Sequence, residues 1–346
     1  MPKQVTNYQC PSCMGPLRFE EGTGRLKCEY CDSSFTVAEI EDLFAEKNAR
    51  AEDEWGDDGA HMRAYSCPSC GAELICEETT AAAACPYCGN PNVIPGQFGG
   101  TKRPDYIIPF TVGKEEAVAA LKKHYRGKLL LPRSFKTENH LTEVKGIYVP
   151  FWLFDAKADV EAQFKTTRSH VHRTSREEVI TTDHFLADRK GSVRFERIPV
   201  DGASKMPDSH MDAIEPFDYQ QLKPFSMGYL PGFFADKYDV TAEECRVRAE
   251  QRCRTSAIQA MEHTVRGYET RVLVDSDVRM EMGDVKYALF PVWLLSTRWK
   301  DKTYLFAMNG QNGNFVGDLP ISWGKAAAWF AGIYAAAAAV LALCLL

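Results

Sequence analysis

Residues 10–31 read CPSCMGPLRFEEGTGRLKCEYC, and residues 67–88 read CPSCGAELICEETTAAAACPYC. Cys10, Cys13, Cys28 and Cys31 recur as Cys67, Cys70, Cys85 and Cys88, each displaced by 57 residues. One offset shared by four cysteines is a duplication. Two residues between paired cysteines make a tight knuckle that brings both sulfurs to one ion, so two knuckles complete a tetrahedral set. The fourteen residues between the pairs fit a short hairpin. In the first segment Leu17-Arg-Phe19 and Arg25-Leu-Lys27 flank Glu21-Gly22-Thr23-Gly24. Pro11, Pro68 and Pro86 stiffen three knuckles, and Gly71 and Gly89 stand where a positive φ is often needed.

The pattern predicts two zinc ribbons, each holding one structural Zn²⁺ through four thiolates. A ribbon of roughly thirty residues cannot bury enough apolar surface to order itself, and metal ligation supplies the difference. Four sulfurs close the coordination sphere and leave no position for water or substrate, so these are structural rather than catalytic sites. Disulfides and thioredoxin-like redox pairs are the competing readings of the same cysteines. Cys76, Cys245, Cys253 and Cys344 have no partner at metal spacing and read as buried or membrane-facing residues. Thiolate sites belong in a reducing compartment, and Met1–Cys13 contains no apolar run like that of a signal peptide, which places this part in the cytoplasm.

Working outward, Thr36 and Glu39 form a capping box ahead of an apolar stripe of Ile40, Leu43 and Phe44. An acidic stretch around Glu52–Gly59 follows. Helices are expected at Lys114–Tyr125 and Thr241–Val265. The alternation of Ala156, Ala158, Val160, Ala162 and Phe164 predicts a half-buried antiparallel strand, and Ser192–Val200 another. Asn309-Gly-Gln-Asn-Gly313 between Tyr304–Met308 and Phe315–Gly317 is a hairpin signal. The fold class is therefore α+β. It comprises ribbon 1 (1–35), a helix and acidic linker (36–60), ribbon 2 (61–94), a mixed antiparallel-sheet α+β domain (95–320) and a C-terminal transmembrane helix (323–346). Val144–Leu153 also aligns with Val285–Leu294 through Pro150-x-Trp152-Leu153 and Pro291-x-Trp293-Leu294. That match reads either as two related halves or as two similar buried strands.

The far end differs from the rest. Ala326–Leu346 holds 21 residues without a charge, about 31 Å as a helix against a hydrocarbon core of ~30 Å. Trp323 and Trp329 suit an interfacial belt, and Lys325 lies on the N-terminal side, which predicts a single pass through the cell membrane with the bulk of the chain cytoplasmic. Ala328, Gly332 and Ala336 make a small-residue face that admits a helix–helix partner, or simply belong to an alanine-rich span.

Charge narrows the function. Residues 1–100 carry 7 lysines and arginines against 16 carboxylates, a net of −9, and two Zn(Cys)₄ centres take the region to about −13. Nucleic-acid affinity rests on neutralising phosphates, so the ribbons are suited to gripping proteins instead. A nucleic-acid-associated factor of transcription or replication remains the alternative, drawing on two basic clusters. These are Lys122, Lys123, Arg126 and Lys128, and Lys165, Arg168, Arg173 and Arg176 with His170 and His172. They read as solvated faces, or as contacts to anionic lipid or an acidic partner. No phosphate loop, nucleophile elbow or His-Glu-x-x-His is present, so no enzyme is expected. Ser322-Trp-Gly-Lys325 matches Ser-x-x-Lys by chance, and His170-x-His172 and Asp208-Ser-His210-Met-Asp212 are short polar clusters.

Together with the ribbon pair, residues 144–155, 197–206, 214–219 and 306–311 resemble those of bacterial TFIIB-type zinc-ribbon membrane proteins, including the YdjG-like, phage-shock-associated group. The resemblance covers nearly the whole chain and carries the metal-ligand role onto the eight ribbon cysteines. It implies recruitment of PspA-type or SPFH-type proteins to the membrane. A helicase-like label attached to some members sits badly with the missing phosphate loop. The expected function is a membrane-anchored cytoplasmic adaptor in envelope-stress assembly, in contact with the lipid bilayer.

Overall fold

The computed structural model describes residues 10–44, 62–77, 85–88, 90, 94–97, 102–132, 135, 144–173, 177–300 and 302–345. The acidic stretch, Gly89 and Arg176 lie outside the described residues. The chain divides into two units. Unit 1 holds 1–150, 203–237 and 289–346, and unit 2 holds 151–202 and 238–288.

Ribbon 1 is an antiparallel sheet of β1 (Leu17–Glu20), β2 (Arg25–Cys28) and β3 (Ser34–Thr36), followed by α1 (Val37–Phe44). The capping box forms as expected, Thr36 N donating to Glu39 Oε2 at 2.6 Å and Glu39 N to Thr36 Oγ1 at 3.1 Å. The stripe differs. Leu43 is exposed, and Val37 and Ile40 are the buried residues, because the helix turns its i, i+3 pair toward the Met227–Tyr229 turn. Phe19 anchors the ribbon in unit 1. Its ring lies edge-on to Tyr229 and Phe233, and its amide donates to Pro231 O at 3.2 Å.

Ribbon 2 supplies β4 (Met62–Ser66) and β5 (Glu73–Glu77), with β6 (Ile94–Gln97) beyond β4. Next come β7 (Tyr106–Ile107), α2 (Lys114–His124), β8 (Lys145–Arg173), β9 (Glu178–Asp201), α3 (Asp208–Ala213), β10 (Lys223–Pro224), β11 (Phe234–Asp236), α4 (Ala242–Thr264), β12 (Thr270–Trp299), β13 (Lys302–Asn309), β14 (Phe315–Gly317) and α5 (Trp323–Leu345). Strand order is β10-β7-β12-β8-β11-β5-β4-β6, with β9 on β8 and the β13–β14 pair on β12. The sheet is mixed because β11 runs parallel to β8 and antiparallel to β5. β11 thereby joins ribbon 2 to the sheet without a break. Tyr87, in the second knuckle of ribbon 2, donates to the buried carboxylate of Asp236 at the end of β11.

In unit 2 the alternation read from Ala156 to Phe164 belongs to a far longer strand, the 29-residue β8, which pairs with β9 from Phe151↔Asp201 to Arg173↔Glu178. Ala158, Val160, Ala162 and Phe164 face α4 and pack with Ala257, Met261 and Val265. The α4 residues buried are Cys245, Ala249, Cys253, Ala257 and Met261, one every four residues and mostly small, so the helix lies close to the strands.

One local construction occurs twice. Phe110-Thr-Val-Gly-Lys-Glu-Glu-Ala117 leads into α2, and Tyr238-Asp-Val-Thr-Ala-Glu-Glu-Cys245 leads into α4. Trp293 Nε1 donates to Val112 O at 2.8 Å, and Trp152 Nε1 to Val240 O at 2.9 Å. Gly310 O accepts from Thr111 N and Val112 N, and Gly202 O from Asp239 N and Val240 N. Trp293↔Met308 and Trp152↔Val200 are equivalent pairs in their hairpins, and each tryptophan ring lies edge-on to Phe110 or Tyr238. The faint strand repeat thus has a counterpart in hydrogen bonds, with an exchange built in. The helix preceding the first hairpin caps the second, and the helix preceding the second caps the first.

Candidate metal centres

Each cysteine quartet converges. Within a quartet all four sulfurs lie within 4.8 Å of one another. The distances are 3.5 Å for Cys10–Cys31, 3.4 Å for Cys13–Cys28, 3.5 Å for Cys67–Cys88 and 3.7 Å for Cys70–Cys85. A tetrahedral ion with metal–sulfur bonds of ~2.3 Å holds its sulfurs ~3.8 Å apart, whereas a disulfide needs ~2.05 Å. The geometry fits a metal tetrahedron and excludes the disulfide alternative in this arrangement.

The backbone explains why the sulfurs meet. In all four knuckles the first cysteine's amide donates to the carbonyl five residues on: Cys10 to Gly15 and Cys28 to Ser33, 2.8 and 2.9 Å, and Cys67 to Ala72 and Cys85 to Asn90, 2.9 and 2.8 Å. In the first three, the residue four on returns its amide to the cysteine carbonyl, which forces that residue into the left-handed region. Gly71 takes φ 71° there. Ribbon 1 uses Met14 at φ 63° and Asp32 at φ 57°, positions that sequence alone does not mark. Asparagine and aspartate tolerate this conformation, but a methionine is strained.

The first cysteine of every knuckle is buried and the second faces outward, fully in ribbon 1 and half in ribbon 2. Ser33, whose hydroxyl lies 3.2 Å from Cys31 Sγ, and its amide hold the Cys31 thiol down to about 6. Burial opposes charge on Cys67, yet the amides of Cys70 and Ser69 more than offset it and hold that thiol down to about 7. Cys31 and Cys67 are thereby shifted toward the thiolate, the ligand form.

The other candidates stay apart. Among the described residues, only the two cysteine quartets bring three or more metal-ligating side chains together. His170 meets Asp183 across the β8–β9 hairpin at 3.6 Å. His210 is buried 3.9 Å from Asp318. Lys325 Nζ donates to Leu131 O at 2.7 Å, and Ser322 Oγ accepts from the Lys325 amide at 3.4 Å. Cys76, Cys245 and Cys253 are buried, as expected. In the second basic cluster Arg168 grips Gly267 O and covers Tyr268, and Arg173 pairs with Glu178 at 2.8 Å. Lys122, Lys123, Arg126 and Lys128 are exposed. The helix α5 contains a 19-residue stretch, Trp323–Leu341, long and apolar enough to cross a membrane, and none of it is buried.

The chain is 36% identical over 329 residues to the uncharacterized protein YdjG of Bacillus subtilis (strain 168), covering 95% of this chain and 94% of that protein. No family model matches the sequence. No solved structure matches it.

Proposed function

Since the chain belongs to the family of Bacillus subtilis YdjG, we propose that it is a non-catalytic, membrane-anchored zinc-ribbon adaptor whose ribbons and α+β body bind protein partners. The observation that carries this reading is the combination of two closed four-sulfur sets with one apolar helix of which no described residue is buried. Zinc is the metal, because an all-thiolate tetrahedron without redox demands suits it. The sequence resemblance supports a TFIIB-type ribbon and PspA-type or SPFH-type partners in envelope-stress assembly. Cationic residues on the N-terminal side of α5 support a single pass with the bulk of the chain in the cytoplasm.

Ribbon 1 offers a docking tip. Tyr30 is 77% exposed between Glu29 and Cys31, with Asp32 beyond. An exposed aromatic in an acidic setting favours a basic protein surface over nucleic acid. The test is detergent-free fractionation of cells followed by affinity purification from crosslinked membranes, comparing the native chain with Tyr30→Ala/Glu29→Lys. The native chain is expected in the membrane pellet with discrete partners that the variant loses. A soluble native chain would end the adaptor-at-membrane reading.

A further inference from the structure

We propose that the foot of α5 is a binding site for the phosphate-bearing headgroup of an anionic phospholipid. This rests on the membrane reading above and adds a recognition step to it. A cavity of about 830 Å³ lies where β12, β13 and α5 meet, lined among others by Trp299, Lys300, Lys302, Tyr304, Trp323 and Lys325. That volume is in the range of small-molecule sites. Three lysines and no carboxylate appear among its described lining residues, so its charge suits an anion.

The lysines are placed in different ways. Lys300 takes φ 47°, and its ammonium stands 4.7 Å over the Trp299 ring. Lys302 opens β13 and is exposed. Lys325 is pinned from below by Leu131 O. Ser322 N donates to Leu130 O at 2.9 Å, so the 129–131 segment is strapped to the start of α5. That strap exposes Leu129 and Leu130, and Ile321 is exposed beside it. Just ahead of the leucines in sequence come Lys122, Lys123, Arg126 and Lys128, all exposed.

Lysines above, exposed leucines at the rim and two indoles beside an emerging apolar helix are the composition of a surface seated at headgroup depth. The cytoplasmic leaflet carries the anionic lipids, and juxtamembrane lysines gain most from them. A lipid source is favoured over free phosphate because the cavity opens at the helix that would enter the bilayer and is walled by Trp299, Tyr304 and Trp323.

The test uses the full-length chain in detergent, titrated with phosphatidylglycerol or phosphatidylcholine and read by native mass spectrometry. Carbonate-resistant membrane association is scored in parallel on the same proteins. We expect phosphatidylglycerol adducts to exceed phosphatidylcholine adducts by roughly tenfold, and Lys300→Gln/Lys302→Gln to abolish that preference, since a loss of about fivefold per lysine is about 25-fold for the pair. The variant should keep two zinc ions and stay in the membrane fraction. Equal adduct formation by the two lipids in an embedded native chain, or an unchanged preference in the variant, overturns the site alone. Full displacement of phosphatidylglycerol by millimolar inorganic phosphate also overturns it, by making it a free-phosphate site. A native chain stripped by carbonate overturns both readings.

Discussion

Tyr87, between the last two cysteine ligands of ribbon 2, gives its phenolic hydrogen to the buried carboxylate of Asp236. The contact spans 149 residues of sequence and fastens a metal knuckle to β11, the strand that lies between β8 and β5. Ribbon 2 is therefore part of the sheet and not a bead on a linker.

That fastening can be weighed. Tyr87→Phe removes a hydrogen bond to a buried acceptor, which should lower stability by about 1–3 kcal/mol. Denaturant unfolding of the full chain checks it, with zinc content expected to stay at two ions. A loss under about 0.5 kcal/mol would mean that Asp236 is held by its other contacts.

The two metal sites should differ in reach. Cys70→Ser removes a ligand from the quartet built into the β4–β5–β11 sheet, whereas Cys13→Ser acts on the separate three-stranded sheet. Each variant should bind one zinc ion instead of two, read by elemental analysis. Thermal unfolding should fall further for Cys70→Ser, since losing that ion loosens strands shared with the body of unit 1.

Met14 offers a gain. A non-glycine residue in the left-handed region costs about 1–2 kcal/mol, part of which glycine returns through its freer unfolded chain. Met14→Gly should raise stability by about 0.5–1 kcal/mol and slow zinc release to a chelator, measured by competition with a chromogenic dye. Gly71→Met, the reverse exchange in ribbon 2, should speed release.

The duplicated tryptophans should cost alike. Trp152→Phe and Trp293→Phe each remove one indole donor to a carbonyl that precedes a helix, together with part of a buried ring. About 2 kcal/mol each is expected. In the double variant the losses should add, because the two sites share no hydrogen-bond partner. Denaturant midpoints provide the comparison.

Acid should loosen the helix starts. Amide and hydroxyl bonds from Thr241 lower the Glu244 pKa, as Thr36 lowers that of Glu39. A carboxylate whose pKa is depressed on folding stabilises above its unfolded value, near 4.5, and that contribution disappears as pH falls through the folded value. Glu244→Gln should therefore flatten the acid limb of a stability-against-pH curve while leaving its neutral slope unchanged.

Much of this was legible in the residues themselves. The quartets came from spacing, the start of α1 from the Thr36 and Glu39 capping box, and the apolar helix from length and charge. The long reach of β8 was not, because beyond Thr166 the hairpin has little buried face and the alternation that marks a strand disappears. Asp236 could not be matched to Tyr87, since a single buried carboxylate looks like any other until β11 is set beside β5. Met14 and Asp32 were hidden for a different reason: glycine announces a positive φ, and neither of these does. Lys300 and Lys302 stood outside both basic clusters and gained meaning only from the start of α5 beside them.

The exchange of helices between the two hairpins bears on the gene's history. Joining end to end the two subunits of a dimer that had traded an identical element produces this wiring. Once fused, the copies are free to drift apart, and they have: one hairpin extends over 29 and 24 residues while the other returns along a strand of 8. Yet neither copy can be discarded, for a deletion that trims one half also uncaps its sibling.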